Sequence, residues 1–177
     1  MVKMSFGTFI VIPIVIALQA VTMMILTPYV PLLGTVDGAS GLITWISFQA
    51  WAVYFLAGCT PKMGVKALLG YAGGIVASIA IFELAGLFGG WFPGLVVAPH
   101  NWALYLAVFP VVVVVIAMEK VPGLDFVPSY FVGAGVFFAL CTYFPQPEGA
   151  APDLYARCAR YGTLAGSELV ACAIGLT

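Results

Sequence analysis

Six long apolar segments, joined by short connections rich in turn-forming residues, constrain the fold of this chain more than any other feature. They span Phe6–Thr27, Leu42–Cys59, Val65–Phe88, Asn101–Met118, Val127–Phe144 and Tyr155–Thr177. A helix rises about 1.5 Å per residue, so about 20 apolar residues cross the roughly 30 Å hydrocarbon layer of a bilayer. The segments are apolar on both faces, whereas the strands of a membrane barrel alternate apolar and polar residues. The sequence therefore predicts an all-α, polytopic transmembrane helical bundle of about six spans, folded as a single domain over residues 1–177.

The composition supports this prediction and excludes several classes of function. Hydrophobic residues make up 63% of the chain and charged residues 7%, whereas a soluble domain has about a quarter of its residues charged. The formal net charge of −1 leaves no basic surface for nucleic acid. Four scattered cysteines and a single histidine, His100, form no metal-binding pattern, and no nucleophile or nucleotide-binding motif is present. We expect no metal, no cofactor, no nucleic-acid partner and no enzymatic activity.

The distribution of basic residues predicts the orientation of the chain. With six spans, four lysines fall on one side of the membrane, and cytoplasmic loops are the ones that retain positive charge. These residues are Lys3, Lys62, Lys66 and Lys120. The N-terminus is therefore predicted to be cytoplasmic. Arg157 and Arg160 oppose this assignment, because they stand at the outer start of the sixth span, where Asp153 could pair with one of them.

The second and fifth segments share a pattern that predicts an internal duplication. At one offset of 83 residues, Phe48 aligns with Phe131 and small residues align with small residues. The first and fourth segments share an internal proline, Pro13 and Pro110, and each proline is predicted to kink its helix. Three spans repeated once must run in opposite directions, which predicts a 3+3 inverted repeat with halves 1–92 and 93–177. Chance similarity between apolar helices is the alternative.

Two acidic residues inside apolar segments are the main candidates for a functional site. Glu83 and Glu168 lie in the third and sixth segments, and the duplication would make them near-counterparts. A carboxylate in hydrocarbon costs about 2.5 to 3.5 kcal/mol, so it needs a partner, water or a proton. We expect both acids to face inward and to line a solute pathway, and no cation is expected at their depth. The further candidates for this pathway are Gln19, Gln49, Phe48 and Phe131. A structural hydrogen bond to a neighbouring helix is the alternative.

Glycines at helical spacing predict where helices approach each other closely. Small residues at i and i+4 let two helix backbones come together. The candidates for helix packing are Gly70, Gly74, Gly133, Gly135, Gly162 and Gly166.

Residues in the second, third and fifth segments resemble those of the YcdZ-like family of small, uncharacterised bacterial inner membrane proteins. The resemblance is carried by Trp45, Phe48, Tyr54, Phe55, Cys59, Pro61, Gly64 and Lys66, and by Phe126, Val127, Pro128, Phe131, Gly133 and Ala134. It implies a multi-pass protein of the bacterial inner membrane and supplies no catalytic residue. Members of the family continue into a polar tail, whereas this chain ends in "ACAIGLT".

These features together predict an oligomeric channel or facilitator for a small uncharged solute. Its partners would be the lipid bilayer and further copies of the chain. The alternative is an accessory or structural subunit that packs against other subunits of a larger membrane complex through its small-residue faces.

Overall fold

The computed structural model describes residues 10–26, 29, 40–97, 100–144 and 154–176, and helices dominate them. The α-helices are α1 (Val11–Leu26), α2 (Ser40–Leu56), α3 (Pro61–Trp91), α4 (Trp102–Ala117), α5 (Val127–Tyr143) and α6 (Leu154–Gly175). Short 3-10 turns cover Pro93–Leu95 and Met118–Lys120. The strands β1 (Val96–Val97) and β2 (His100–Asn101) pair antiparallel just before α4. The described residues are thus all-α apart from this small ribbon.

Local sequence signals explain where several helices begin. The Thr60 hydroxyl accepts a hydrogen bond from the Met63 backbone N–H, and Pro61 occupies the first turn of α3. Gly58 has a φ of 91°, so the tight connection between α2 and α3 falls on the residue that adopts this conformation without strain. The Asn101 side chain caps α4 in the same way by accepting from Leu104 N–H at 3.1 Å.

The observed helices follow the apolar segments, with two differences of length. α3 begins at Pro61 and continues to Trp91, so it is longer at both ends than the predicted span. α2 ends at Leu56 because the turn through Gly58 follows at once. Among the described residues, two helices are long and apolar enough to cross a membrane, namely Pro61–Trp91 and Trp102–Lys120. Many large apolar side chains on the described helices are exposed.

α3 is the central helix and packs most extensively against α5 and α4. The contact with α5 depends on glycine. A Cβ on Gly74 would overlap the Tyr130 carbonyl oxygen, and a Cβ on Gly133 would lie 2.8 Å from the Tyr71 Cα and carbonyl oxygen. A Cβ on Gly70 would overlap the Ser129 hydroxyl. The backbones of α3 and α5 therefore approach more closely than any larger residue allows.

α3 runs parallel to α5 and antiparallel to α6. Gly70 lies beside the first turn of α5, and further along both helices the Phe82 and Phe138 rings are 4.7 Å apart. The start of α3 lies instead beside the end of α6, because a Cβ on Gly64 would be 3.8 Å from the Leu176 carbonyl oxygen. The chain thus reverses its direction an odd number of times between α3 and α6, as it would if successive helices ran in alternating directions.

The second close helix pair joins α2 to α6. A Cβ on Gly175 would overlap the Ser47 carbonyl oxygen and would lie 2.8 Å from the Ala50 Cβ. Tyr54, near the end of α2, and Leu176, just after α6, both lie beside Gly64. The two helices therefore end on the same side and run parallel.

Two of the predicted packing glycines make no close helix contact among the described residues. A Cβ on Gly135 or Gly162 would meet open space, since both glycines are exposed on their helices. Their use against another chain stays a prediction. Gly166 is half-buried in α6. α4 continues as one helix through Pro110. The side chain of Pro13 lies outside the part of the chain that the structure describes.

Candidate functional site

A row of polar side chains runs along the face of α6 that meets α3. Arg157, Tyr161, Glu168 and Cys172 stand at spacings of four, seven and four residues, which place them on one side of a helix. Their neighbours on α3 are Glu83 at one end and, in the interior, Tyr71. We call this contact between the two antiparallel helices the α3–α6 seam.

An ion pair occupies one end of the seam. The Arg157 Nη1 lies 3.1 Å from the Glu83 Oε2, and the Tyr161 hydroxyl donates a hydrogen bond to the Glu83 Oε1 at 3.3 Å. The side chain of Glu83 is 37% exposed and faces α6 at the half-exposed end of the seam. The expectation that no cation lies at its depth is wrong, because the antiparallel packing brings the first turn of α6 next to the last third of α3.

Glu168 lies in the interior of the seam and has no partner among the described residues. Its exposed fraction is 0%, and neither carboxyl oxygen has a hydrogen-bond partner. Tyr71 is also fully buried, and its hydroxyl has no partner either. Cys172, one turn after Glu168, is fully buried and interacts electrostatically with both residues. Buried polar groups are normally hydrogen-bonded, so two unpartnered groups in one place need an explanation.

The two acids do not form a pair that shares a proton. Glu83 contacts Tyr161, and Glu168 follows Tyr161 by seven residues, which is about 10 Å along the helix. One carboxylate is neutralised by Arg157, and the other is enclosed by apolar residues. The seam therefore has a half-exposed end that holds an ion pair and a buried middle that holds an acid without a partner.

A small polar pocket adjoins the charged end. It encloses about 140 Å³ and is lined by Phe82, Cys141, Thr142, Arg160 and Tyr161. The Arg160 guanidinium donates hydrogen bonds to the carbonyl oxygen of Cys141 at 2.9 Å and to that of Phe144. Arg160 thus caps the end of α5 while facing the pocket. Arg157 and Arg160 are not among the site residues predicted from the sequence. Only helical spacing could have indicated otherwise, because it places Arg157 on the same face of α6 as Tyr161 and Glu168.

The other predicted pathway residues lie elsewhere. Gln49 and Phe131 line a groove of about 520 Å³ between α2 and α5, together with Gly135. Phe48 does not face this groove; its ring packs between Trp45 and Trp51, with centroids 5.1 and 5.2 Å away. The side chain of Gln19 lies outside the described residues. The structure therefore separates the predicted pathway into the α3–α6 seam and the α2–α5 groove.

An exposed ion pair marks the opposite end of α3. The Lys66 ammonium donates to both carboxyl oxygens of Asp125, at 2.6 and 2.8 Å, and so ties α3 to the connection before α5. The hydrogen bond from Lys66 holds the pKa of Asp125 below its ordinary value of 3.8. Within the described ranges, no group of three His, Cys, Asp or Glu residues is arranged to hold a metal ion.

Comparisons with known proteins give the family of the chain and no activity. No curated protein and no solved structure matches it. A family model described as "Protein of unknown function (DUF1097)" matches residues 13–174, which is nearly the whole chain and includes both halves of the seam. The chain therefore belongs to the uncharacterised DUF1097 family.

Proposed function

We propose that this chain is a multi-pass membrane protein that facilitates the passage of a small uncharged solute along the α3–α6 seam. In this proposal six helices cross the bilayer, the N-terminus is cytoplasmic, and copies of the chain assemble into an oligomer. The bacterial inner membrane as its location rests on the resemblance of the chain to YcdZ-like proteins. Exposed apolar side chains on most described helices and two helices of spanning length support the membrane setting.

The observation that carries the proposal is the unused hydrogen-bonding capacity in the middle of the seam. Glu168 and Tyr71 are fully buried and without partners. Such groups cost about 1–3 kcal/mol each, so an arrangement that served stability alone would have paired or removed them. A solute that enters from the charged end at Arg157 would meet the donors and acceptors that are free there. A neutral solute suits this interior, because no described charge lies beside Glu168 to balance an ion.

The packing of the helices supports the predicted inverted repeat. Gly74 of α3 meets the carbonyl of Tyr130 in α5, and Gly175 of α6 meets that of Ser47 in α2. Ser47 and Tyr130 are related by the offset of 83 residues that aligns Phe48 with Phe131. The same offset relates residues that line the α2–α5 groove, namely Ala52 and Gly135, Val53 and Val136, and Leu56 and Ala139. Both glycine contacts join parallel helices, and the two pairs run in opposite directions.

The same packing removes one part of the sequence prediction. If Gly74 corresponds to Gly175, then Glu168 corresponds to Ala67 and not to Glu83. The two acids are therefore not equivalent residues of a repeat. Their different surroundings agree with this, because only Glu83 has a cationic partner.

The test is solute flux into proteoliposomes that contain the purified protein. Small neutral probes such as water, glycerol and urea are to be compared in stopped-flow shrinkage experiments. We expect the chain to raise the permeability to at least one probe, and both Glu168→Gln and Tyr71→Phe to reduce that gain. Glu119→Gln, which removes an exposed acid after α4, is the matched control and should leave the flux unchanged.

Two results would contradict this function. The first is a permeability no higher than that of empty liposomes for every neutral probe. The second is full flux in both Glu168→Gln and Tyr71→Phe, which would show that the solute does not pass the middle of the seam.

A second candidate, an accessory subunit of a larger membrane complex, is favoured by a separate observation. Gly135 and Gly162 leave open space on exposed helix faces, and an apolar groove of about 620 Å³ lies between α3 and α4. Small residues on exposed faces would let a helix of another subunit approach. Native mass spectrometry after mild detergent extraction distinguishes the candidates, since a subunit would co-purify with other chains and a facilitator would run as copies of itself.

A further inference from the structure

The helices group into two bodies by how closely their backbones approach. α4 and α5 each pack closely on α3, and α2 packs closely on α6, whereas the backbones of α2 and α6 approach those of α3 and α5 at fewer places. Glycines allow the close backbone contact of one helix pair in each body, through Gly74 and Gly133 between α3 and α5 and through Gly175 between α6 and α2. Side chains of the hydrophobic core, among them Tyr71, Leu164 and Cys172, fill the space between the two bodies, so an opening of the α3–α6 seam would separate the bodies at this core.

Glu168 lies at this interface with few groups that titrate around it. α3 presents Tyr71, α6 presents Cys172 one turn away, and Cys141 on α5 interacts with Glu168 electrostatically. From α2, the buried polar residue is Ser47, which does not titrate. Arg157 and Glu83 neutralise each other at the end of the seam, so neither supplies Glu168 with a countercharge.

The closed seam and an ionised Glu168 exclude each other energetically. Among the described residues the carboxylate would have no hydrogen bond and no cation, and the several kcal/mol that this costs can be avoided only by binding a proton or by opening the seam to water. Separating the two bodies would admit water to the carboxyl group. A state in which the group binds its proton more tightly is favoured at low pH and lost as the pH rises, so the closed seam is the low-pH state.

We propose that Glu168 is a proton-binding site whose protonation closes the α3–α6 seam and whose ionisation opens it. The proton is a ligand that needs no cavity, and Glu168 lines none of the three pockets described above. One proton is linked to the opening, so the ratio of open to closed molecules rises by up to about tenfold per pH unit. This inference rests on the proposed function, because it makes the solute path along the seam dependent on pH. The experiment that tests it does not measure solute flux.

Cys172 is a built-in reporter of this opening. It is fully buried in the closed seam and stands one turn from Glu168, whereas Cys158 on the same helix is exposed. The unmodified chain in lipid nanodiscs is to be labelled briefly with a small maleimide at a series of pH values. Peptide mass spectrometry then gives the labelled fraction of each cysteine, and the ratio of Cys172 to Cys158 corrects for the general effect of pH on thiols.

The proposal predicts that this ratio rises with pH in the wild-type chain and stays low in Glu168→Gln, whose side chain cannot ionise. Glu119→Gln is the matched control and should behave as wild type, because it removes an exposed acid that lies after α4 and outside the seam. Because Glu168→Gln cannot ionise at this position, any change of its ratio with pH measures the change in reactivity of the Cys172 thiol itself. Two results would overturn the proposal. The first is a ratio that does not change with pH in the wild-type chain, which can be measured even if Glu168→Gln does not fold. The second is an equal rise of the ratio in wild type and in Glu168→Gln. Absence of solute flux with a pH-dependent ratio would reject the proposed function and leave the proton site standing.

Discussion

Glu83 and Glu168 show how far surroundings separate two residues of the same type. Each was predicted from its place in an apolar segment, and nothing in either segment distinguishes them. The antiparallel packing gives Glu83 an arginine and a tyrosine and leaves Glu168 with a tyrosine that makes no hydrogen bond to it. The sequence could identify the acids, but the partner of Glu83 lies on a helix far along the chain.

Replacing Glu168 by methionine should stabilise the fold while abolishing solute flux. An unpartnered buried polar group costs about 1–3 kcal/mol, which an apolar side chain of similar length avoids. Thermal unfolding in detergent, followed by tryptophan fluorescence, should show a raised midpoint. Glu83→Met is the control and should lower the midpoint slightly, since a half-exposed ion pair contributes up to about 1 kcal/mol. A lowered midpoint in Glu168→Met would indicate that Glu168 makes a stabilising contact.

Removing the carboxylate of Asp125 should flatten the dependence of stability on acid pH. The pKa of Asp125 is lowered in the folded state, so the contribution of the ion pair is present above the ordinary value of 3.8 and is lost as the pH falls below it. The wild-type chain should lose more stability between neutral and acid pH than Asp125→Asn does. Chemical unfolding at a series of pH values measures this difference, and parallel curves for the two chains would contradict it.

At the scale of single helices, close approach depends on a few glycines in specific positions. α5 carries two of them two residues apart, with opposite surroundings. A Cβ on Gly133 would meet the backbone of α3 at Tyr71, whereas a Cβ on Gly135 would meet open space. Both residues have the same predicted packing role, because spacing identifies a helix face that is rich in glycine without showing which of its glycines a neighbouring helix covers.

Gly133→Ala should therefore destabilise the fold, and Gly135→Ala should not. Overpacking costs about 1–3 kcal/mol, and here the obstacle is backbone, which cannot rotate away. At an exposed helical position the change from glycine to alanine is favourable by roughly 0.5–1 kcal/mol. Thermal unfolding of the two variants in the same detergent should move the midpoint in opposite directions. Equal midpoints would contradict the close contact of α3 with α5.

At the scale of the whole molecule, the sequence predicted the number and order of helices well and their mutual packing poorly. Apolar runs bounded by Thr60, Pro61 and Asn101 determine where helices begin, and these signals are local. The pairing of α3 with α5 and of α2 with α6 joins distant parts of the chain, and apolar helices offer no charge pattern that would specify it. The offset between Phe48 and Phe131 carried information about packing, since it also relates Ser47 to Tyr130, and so did the glycines Gly70, Gly74 and Gly133 at the α3–α5 contact.

Native cysteines can test the alternating path of the chain through a bilayer. Cys59 precedes α3 and Cys158 lies in the first turn of α6; both are exposed, and they stand at opposite ends of two antiparallel helices. In sealed membrane vesicles of defined orientation, a membrane-impermeant maleimide should label one of them and should reach the other only after the vesicles are opened. Labelling of both from one side would contradict a chain that crosses the membrane between them.

The most direct test concerns the state of the Glu168 carboxyl group in the closed seam. Infrared spectroscopy of the protein in lipid distinguishes a protonated carboxylic acid, through its C=O stretch, from a carboxylate. At neutral pH the wild-type chain should show a carboxylic-acid band that is missing from Glu168→Gln and retained in Glu83→Gln. Identical spectra for wild type and Glu168→Gln in this region would mean that Glu168 is ionised. That result would contradict a closed seam that encloses a protonated acid without a partner.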